Sequence, residues 1–383
     1  MPNFNFESPR LPAEALSEGM RARRFLETEL AEQRYPAHLT SWSSFDAGFS
    51  RRAGAAGFIG MTWPKVYGGR ELSGLARFAV TAEMLAAGAP TFAHWIADRQ
   101  SGPQILTHGS ERARREILPR ICRGECYFGI GMSEPNSGSD LAAVRTKATR
   151  HADGWRINGS KIWTSNAHHA HYLIVLARTG EPGPDRHGGL TQFIADLSKP
   201  GVTVRPIYNL AGAHEFNEVF FDDFAIPDDM VVGREGSGWD MVTRELAFER
   251  SGPDRFLSDY RLLLALIDRV GAEPNAHQAT EIGRLVSHLT ALVTMSASVA
   301  ALLDKGISPN LEAALVKDVG TNFERDVPEV VRRLVPIEPS ADREDDPLGQ
   351  AAAQAILHAP SFTLRGGTRE ILRGMIARGL GLR

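Results

Sequence analysis

The stretch YFGIGMSEPNSGSDL, residues 127–141, marks the point where the chain changes from helical to strand patterning. Its first half is a short run with aromatic and β-branched residues, which predicts a strand. Its second half gathers Ser, Asn, Gly and Asp into one turn, whose backbone N–H groups can form a concavity that binds an anion such as a phosphate. On spacing alone, the same turn also fits an ordinary surface loop.

Short strand-like runs continue after this stretch, up to about Gly233. Ala152-Asp153-Gly154 and Asn158-Gly159 have the composition of turns between strands. Several short strands at this spacing predict a β sandwich or barrel. The runs are VRTKAT (144–149), WRINGSKIW (155–163), HYLIVLA (171–177), TQFIADL (191–197) and VTVRPI (202–207).

Helical patterning precedes this β segment. Residues 12–33 carry apolar and charged side chains at helical spacing, and residues 81–89 are strong helix formers. Ser110 is a candidate N-cap for a further helix, which Pro119 is expected to end near Leu118.

The helical period returns from Gly236. Ser308-Pro309 fits a helix start, with Ser308 as the capping side chain and Pro309 at the first helical position. Residues 336–347 are expected to form an exposed acidic loop or a poorly ordered segment, and a last helix is predicted over 368–378. An apolar stripe predicts a bundle helix; its members are Ile282, Leu285, Val286, Leu289, Leu292, Val293 and Val299.

The predicted fold class is therefore α+β in three parts. We expect an N-terminal α-helical domain over residues 1–125, a central β-barrel or sandwich domain over 126–235 and a C-terminal helical bundle over 236–383.

Composition excludes several classes of protein. The chain has 383 residues, 43% of them hydrophobic, and a formal net charge of −3. This balance leaves no excess of positive charge of the kind that binds nucleic acid or an anionic membrane surface. No uninterrupted apolar run reaches the roughly 18 residues of a membrane span, and the polar N-terminus lacks an export signal, so we expect a cytoplasmic protein without membrane insertion.

Histidines and cysteines do not indicate a metal site. His168, His169 and His171 lack a carboxylate or cysteine partner at ligand spacing, and the first two are expected on opposite faces of a strand. Cys122 and Cys126 cannot form a disulfide framework and are expected to be buried thiols.

Three further segments are candidates for chemistry. In GSKIWTSN (159–166), Trp163 could flank a planar heterocycle while Thr164 and Ser165 bond its edge, or Trp163 could be a buried strand residue. Glu249-Arg250 could hold a carboxylate with a raised pKa or a solvated ion pair. Gly366-Gly367 leaves N–H groups free for a ligand, or is a plain helix start. The chain has no G-x-G-x-x-G after a strand, no Walker A loop and no G-x-S-x-G, so the usual sequence support for Rossmann, P-loop and α/β-hydrolase chemistry is missing.

Taken in order, these motifs resemble those of the acyl-CoA dehydrogenase family. YFGIGMSEPNSGSDL is similar to the strand–turn signature of the family, and NGSKIWTSN to its NGxKxWITN. FNEVFFDDFAIPDDMVVG (216–233) is similar to the end of its β domain, and GGTREILRGMIARGLGL (366–382) to its last helix. The resemblance covers nearly the whole chain. It implies a C-terminal four-helix bundle, and FAD held between the β domain, the bundle and a neighbouring subunit.

The resemblance also implies roles for individual residues. Ile130, Met132 and Ser133 are implied to contact the flavin ring, and Trp163, Thr164 and Ser165 to surround the ring and flavin N5. Gly138 and Ser139 are implied to contact the pyrophosphate, and Ser139 also the acyl-CoA. Gly367, Thr368 and Glu370 are implied to line the adenylate end. The implied reaction is α,β-dehydrogenation of an acyl-CoA: a carboxylate removes the α-proton, hydride passes to flavin N5, and electron-transfer flavoprotein reoxidises the flavin.

Two departures from the family pattern shape the expectation. Many members place the base where this chain has Gly366, whereas a minority use a glutamate on the first bundle helix, which Glu249 matches. We therefore predict Glu249 as the base, Gly366 N–H as an oxyanion donor and Arg250 beside the substrate.

The second departure concerns the partner subunit. The R-x-x-F-G motif, whose arginine reaches the FAD of the neighbouring subunit, is absent from DRVGAEPNAHQ (268–278). Three alternatives therefore remain open. The chain is an active dehydrogenase as a homotetramer or homodimer, or it is one subunit of a heteromer with an incomplete site of its own. The third alternative is a flavin oxidase or monooxygenase on the same fold.

Overall fold

The computed structural model describes residues 4–7, 9–35, 44–181, 185–342 and 345–382, apart from the side chains of residues 244–249. Helices come first, strands follow, and helices return, so the predicted fold class is confirmed. The helices are α1 Ala13–Ala31, α2 Ala47–Ala55, α3 Gly74–Ala86, α4 Phe92–Ile96, α5 Gly102–His108, α6 Glu111–Cys122, α7 Gly238–Arg250, α8 Tyr260–Val270, α9 Ala276–Asp304, α10 Asn310–Leu334, α11 Pro347–Phe362 and α12 Arg369–Gly379.

The strands are β1 Phe128–Gly131, β2 Lys147–His151, β3 Gly154–Ser165, β4 Tyr172–Arg178, β5 Leu190–Asp196, β6 Val202–Tyr208, β7 His214–Ile226 and β8 Val231–Val232. They form one sheet in the order β6-β7-β3-β2-β4-β5-β8, with β1 parallel to β4. Trp155 on β3 packs edge-on against Phe193 on β5, with ring centroids 5.4 Å apart, so the sheet curls around its own apolar side chains.

Of the two predicted turns, one is a hairpin turn and the other is not. Ala152 and Asp153 join β2 to β3 as predicted. Asn158-Gly159 instead lies inside β3, where the register with β7 shifts. Gly159 has φ +146°, and a Cβ there would lie 2.6 Å from Thr146 Oγ1, so this close approach requires glycine. The extra residue of the bulge lies opposite, on β7, where Asp223 has φ +47°. Pairing with β2 and β7 overrides the local turn signal.

Pro119 does not end α6, contrary to the sequence prediction. The helix continues to Cys122, and Arg123 N–H donates to the Pro119 carbonyl at 3.2 Å. Proline removes only the N–H that would bond the carbonyl of Arg115, a residue exposed to solvent. Burial of Ile121 and Cys122 stabilises the extra turn.

Side-chain caps fix several helix starts. Ser110 Oγ accepts from Ala113 N–H at 3.0 Å, as predicted, and Thr368 Oγ1 accepts from Ile371 N–H at 3.5 Å. The predicted cap at Ser308 is wrong: Pro309 is the N-cap of α10 and makes no side-chain cap bond, because the helix begins one residue later than expected.

The chain divides into two compact units. One contains residues 1–45, 72–91 and 247–383, and the other contains residues 46–71 and 92–246. In the first, α10 packs against α8, α9, α11 and α12. Helix α9 is long and apolar enough to cross a membrane by length and composition, yet 44% of its most apolar stretch is buried within the fold. Of its predicted stripe, Leu285, Leu292 and Val299 are fully buried, whereas Val286 and Val293 stay exposed.

Candidate functional site

The turn at residues 132–140 is closed by its own hydrogen bonds. Glu134 and Ser137 exchange backbone bonds of 2.7 and 3.0 Å, and Ser137 Oγ donates to the Asp140 carbonyl at 2.7 Å. The N–H groups of Gly138 and Ser139 have no acceptor among the described residues. A Cβ at Gly138 would meet nothing within 4 Å. The turn therefore offers free donors in open space, the arrangement that suits an anion.

A buried ion pair that the sequence analysis missed supports this turn. Lys161 is 0% exposed, and its Nζ donates to Glu134 Oε1 at 2.8 Å and to the Met132 carbonyl at 3.1 Å. Glu134 also accepts from the N–H groups of Arg145 and Thr146 at 2.7 and 2.8 Å. A lysine inside the strand-like WRINGSKIW was the available signal, since a buried charge requires a partner.

Burial and pairing shift both pKa values. Burial lowers the pKa of Lys161 to about 8, with Glu134 opposing the shift. Burial alone would raise the pKa of Glu134, but the Lys161 charge and the two backbone donors outweigh it and lower that pKa. The carboxylate is therefore held ionised beneath the turn.

Trp163 lies on an irregular part of β3 with its ring in the open. The register with β7 shifts between Lys161 and Thr164, and Trp163 has φ +58°. Its side chain is 57% exposed and contacts Phe216 edge-on, with ring centroids 6.0 Å apart. A strained backbone that presents an aromatic ring to solvent favours a binding role over the buried strand residue that was the alternative.

Orphaned polar atoms accompany this ring. Thr164 Oγ1 and Asn166 Nδ2 are buried without a hydrogen-bond partner in the described part of the chain. Ser165 is half-buried, as are Ile130, Met132 and Ser133 at the end of β1, where Ile162 N–H donates to the Ser133 carbonyl at 2.9 Å. The exposed aromatic face and the half-buried Ser165 fit the planar ring of FAD, whereas Thr164, predicted to bond the edge of the ring, is 0% exposed and its hydroxyl is inaccessible.

The histidines after β3 cluster instead of alternating. His168 and His169 lie in a turn with ring centroids 4.0 Å apart, and His168 stacks on His214 at 3.7 Å, so their predicted placement on opposite strand faces is wrong. Asn217 Nδ2 bonds His168 Nδ1 at 3.2 Å. Burial, with the neighbouring histidines, lowers the pKa of His168 to about 4. Among the described residues, no group of His, Cys, Asp and Glu has the geometry of a metal site.

Both cysteines are buried free thiols, as predicted. Burial raises the pKa of Cys122 and of Cys126 to about 12. Neither thiol is therefore a nucleophile at neutral pH.

In the helical unit, the Gly366-Gly367 turn is held through its carbonyls. Arg250 is 3% exposed, and its Nε donates to the Gly366 carbonyl at 3.2 Å. Lys317 on α10 is 0% exposed, and its Nζ donates to the Gly367 carbonyl at 2.5 Å. Both glycines have positive φ, +69° and +97°, which suits residues without a Cβ. Lys317 was not found from sequence, because it lies 50 residues from its partner.

A buried charged cluster lies behind this turn. Arg365 Nη2 donates to Glu324 Oε2 and to Ser258 Oγ, both at 3.2 Å. Asp259 is fully buried, and neither of its carboxyl oxygens has a hydrogen-bond partner among the described residues. Burial, reinforced by the Glu324 charge and opposed by Arg365, raises the pKa of Asp259 well above 3.8.

The remaining predicted residues are placed only in part. Glu249 lies in the last turn of α7, but its side chain is outside the described residues. Glu370 is exposed in the first turn of α12, and its own backbone N–H, followed by the Thr368 side chain, lowers its pKa. The structure thus groups the strand residues from Ile130 to Ser165 in one unit, and Arg250, Gly366, Gly367, Thr368 and Glu370 in the other.

A basic groove of about 630 Å³ lies beside β2 and β4. Arg178 donates to the carbonyls of Ala142, Val144 and Gly188 and so shapes its wall. The other charged residues that line it are Arg145, Lys147, Arg186 and Glu181, of which Arg186 pairs with Asp140 at 2.5 Å.

Comparison with known proteins gives consistent matches. A model described as "Acyl-CoA dehydrogenase, N-terminal domain" matches residues 16–125, and one described as "Acyl-CoA dehydrogenase, middle domain" matches residues 129–224. The chain is 35% identical over 338 residues to acyl-CoA dehydrogenase IpdE1 of Mycobacterium tuberculosis, covering 87% of each chain.

Solved structures match along almost the full length. The "Tcur3481-Tcur3483 steroid ACAD" aligns with a TM-score of 0.86 and 25% identity, covering 97% of this chain and 98% of that one. The ChsE4-ChsE5 complex from Mycobacterium tuberculosis aligns with a TM-score of 0.83 and 25% identity, covering 98% and 99%.

Proposed function

The chain belongs to the acyl-CoA dehydrogenase family of oxidoreductases, and from that premise we propose that it catalyses the FAD-dependent α,β-dehydrogenation of an acyl-CoA thioester to the trans-2-enoyl-CoA. The observation that carries the proposal is the exposed Trp163 ring, held at φ +58°, in the same unit as the unbonded amides of Gly138 and Ser139. A strained residue that presents an aromatic ring to solvent indicates a binding role.

The strand residues would hold the cofactor. Trp163 would stack against the ring and Ser165 would bond its edge, while the free amides of Gly138 and Ser139 would donate to phosphate oxygens. When bound, FAD supplies the acceptor for the hydride that leaves the β-carbon. The chain's own task is to orient the thioester and to remove the α-proton.

We assign proton removal to Glu249. Gly366 has no side chain to act as a base, and Arg250, the residue after Glu249, bonds the Gly366 carbonyl at 3.2 Å. The end of α7 therefore lies against the turn at which other family members are expected to place their base. Developing charge on the thioester oxygen would be stabilised by backbone N–H groups of that turn.

Glu249→Gln tests this assignment. We expect kcat to fall by about 10²–10⁴-fold, the usual contribution of a positioned base, with little change in acyl-CoA affinity. Asp240→Asn, an exposed carboxylate on the same helix, is the control and should leave kcat unchanged. Normal turnover by the Glu249 variant would contradict the assignment.

The basic groove favours a coenzyme A thioester over a simple acid. Arg145, Lys147, Arg178 and Arg186 give it an excess of positive charge. Phosphate groups of the coenzyme would bind there, and affinity would then fall as salt rises. Because the neighbouring Tcur3481-Tcur3483 structure is of a steroid ACAD, a substrate panel should include steroid-derived acyl-CoAs beside short straight chains.

A heteromer is the second candidate. It is favoured by the absent R-x-x-F-G motif and by the exposed Val286 and Val293 on α9, and the matching ChsE4-ChsE5 structure is a complex of two proteins. The visible spectrum and the solution mass of the purified chain test it. A flavin spectrum on a homomer supports self-sufficiency, whereas a colourless chain that binds FAD only with a co-expressed homologue supports the heteromer.

We propose electron-transfer flavoprotein as the acceptor. Reduction of that protein by the substrate-loaded enzyme without oxygen uptake is the expected result. Stoichiometric oxygen consumption would instead assign an oxidase or monooxygenase reaction.

A further inference from the structure

The Gly366-Gly367 turn has two chemically different faces. On one face, Arg250 and Lys317 donate to the carbonyls of Gly366 and Gly367 at 3.2 and 2.5 Å. On the other, the N–H groups of Gly367 and Thr368 have no acceptor among the residues that the structure describes. The side chains of Arg250 and Lys317 thus bond the carbonyls of the turn, and its backbone N–H groups remain available to a ligand.

Peptide geometry links the two faces. In a trans peptide the N–H points opposite to the C=O of the same plane. The carbonyl of Gly366 shares its plane with the N–H of Gly367, and the carbonyl of Gly367 with the N–H of Thr368. Fixing the two carbonyls therefore aims the N–H groups of Gly367 and Thr368 away from Arg250 and Lys317.

The charge of Lys317 also makes the Thr368 N–H a stronger hydrogen-bond donor. Hydrogen bonds to an ionised donor are stronger than neutral ones, and a bond at one end of a peptide polarises the group at its other end. Polarisation of the Gly367 carbonyl makes the Thr368 N–H a better donor.

We propose that Lys317, together with Arg250, is a positioning residue that directs and strengthens the N–H groups of Gly367 and Thr368 toward a ligand oxyanion. That oxyanion is the thioester oxygen of the acyl-CoA or a phosphate oxygen of FAD. The identity of the oxyanion rests on the proposed function. The orientation of the turn rests on the contacts alone.

Lys317→Met in the holoprotein tests the proposal. It removes the charge and keeps an unbranched side chain of similar length. The measurements are the dissociation constants of a thioester acyl-CoA, of the matching S-alkyl-CoA thioether, which lacks the carbonyl oxygen, and of FAD. Glu312→Gln, a buried carboxylate on the same helix that bonds Asn5 N–H at 2.8 Å, is the matched control.

Two results support the proposal and identify the oxyanion. Thioester affinity that falls about 10- to 100-fold, with thioether affinity unchanged, assigns the substrate oxygen. FAD affinity that falls about 10-fold, with an unchanged ratio of thioester to thioether, assigns the phosphate. Either effect should be absent in Glu312→Gln.

Other results overturn it. If the variant folds and neither the ratio of thioester to thioether affinity nor the FAD affinity changes, Lys317 has no positioning role. If all three affinities fall in proportion to a lower Tm, Lys317 has a structural role only. Lys317→Gln, a neutral donor, repeats the comparison should the Met variant fail to fold. A wild-type protein that binds FAD but neither CoA compound would refute the proposed function, and the FAD comparison would then decide this inference by itself.

Discussion

The two units each bury a lysine beneath a segment predicted to bind ligand, and each lysine holds a backbone carbonyl of that segment. Lys161 in the β unit pairs with the carboxylate of Glu134 while it holds the Met132 carbonyl. Lys317 in the helical unit donates to the carbonyl of Gly367 in a turn whose amides are free. We infer that the first lysine chiefly stabilises the fold and the second chiefly prepares a site. The following predictions, ordered by expected effect on stability, test the role of Lys161 and compare buried with exposed side chains in the two units.

Glu134→Gln should have the largest effect on stability. It leaves Lys161 buried without its counter-charge, which costs about 3–5 kcal/mol of the free energy of unfolding. Urea denaturation of the variant measures this. Glu125→Gln breaks an exposed pair with Arg123 in the same unit and should cost at most about 1 kcal/mol. Equal effects in the two variants would show that burial of the pair is unimportant.

Asp259→Asn should stabilise the helical unit at neutral pH. The pKa of Asp259 is raised in the folded state, so the folded chain keeps a proton that the unfolded chain loses, and stability falls as pH rises above about 4 toward that raised pKa. Asparagine has no such proton, and we expect a gain of about 1–3 kcal/mol at pH 7.

Denaturation midpoints at a series of pH values between about 4 and 8 measure the Asp259 effect. The gain should shrink toward the acid end of the series. Asp268→Asn, on the exposed side of α8, is the control. A gain that stays constant across the series would refute the titration as its cause.

Trp163→Ala should have the smallest effect on stability. Its ring is 57% exposed, so the free energy of unfolding should change by about 0.5 kcal/mol or less, while FAD affinity falls about 10-fold. Trp155→Ala on the same strand removes a buried ring and should cost about 3–5 kcal/mol. Fluorescence of released FAD and urea denaturation separate the two effects. The idea fails if Trp163→Ala retains FAD like the wild type.

In the β unit, the strands and the segments predicted to bind ligand were predictable from sequence because their signals are local. The strand runs, the turn at residues 132–140 and the ring residues around Trp163 each lie within one short segment. The contacts of the glycine turn in the helical unit were not predictable, because Arg250 and Lys317 are separated from that turn by 116 and 50 residues of chain. Local sequence patterns do not predict contacts between residues so far apart in the chain.

The wrong predictions share one physical cause. Pro119, Asn158-Gly159 and the His168-His169 pair were each interpreted from local propensity, and each conformation is decided by tertiary packing. Burial extends α6 past its proline, strand pairing keeps β3 continuous through its glycine, and the turn after β3 brings the imidazoles together. Local rules fail where neighbouring elements supply more free energy than the local preference.

The two buried cysteines have a practical consequence for labelling the protein. Cys122 and Cys126 are its only cysteines, and their pKa values near 12 keep both as unreactive thiols at pH 7. A single cysteine introduced on the surface would therefore be the one reactive handle for a maleimide fluorophore or spin label. With one such cysteine in each unit, the distance between the two labels in solution can be measured without first removing the native cysteines.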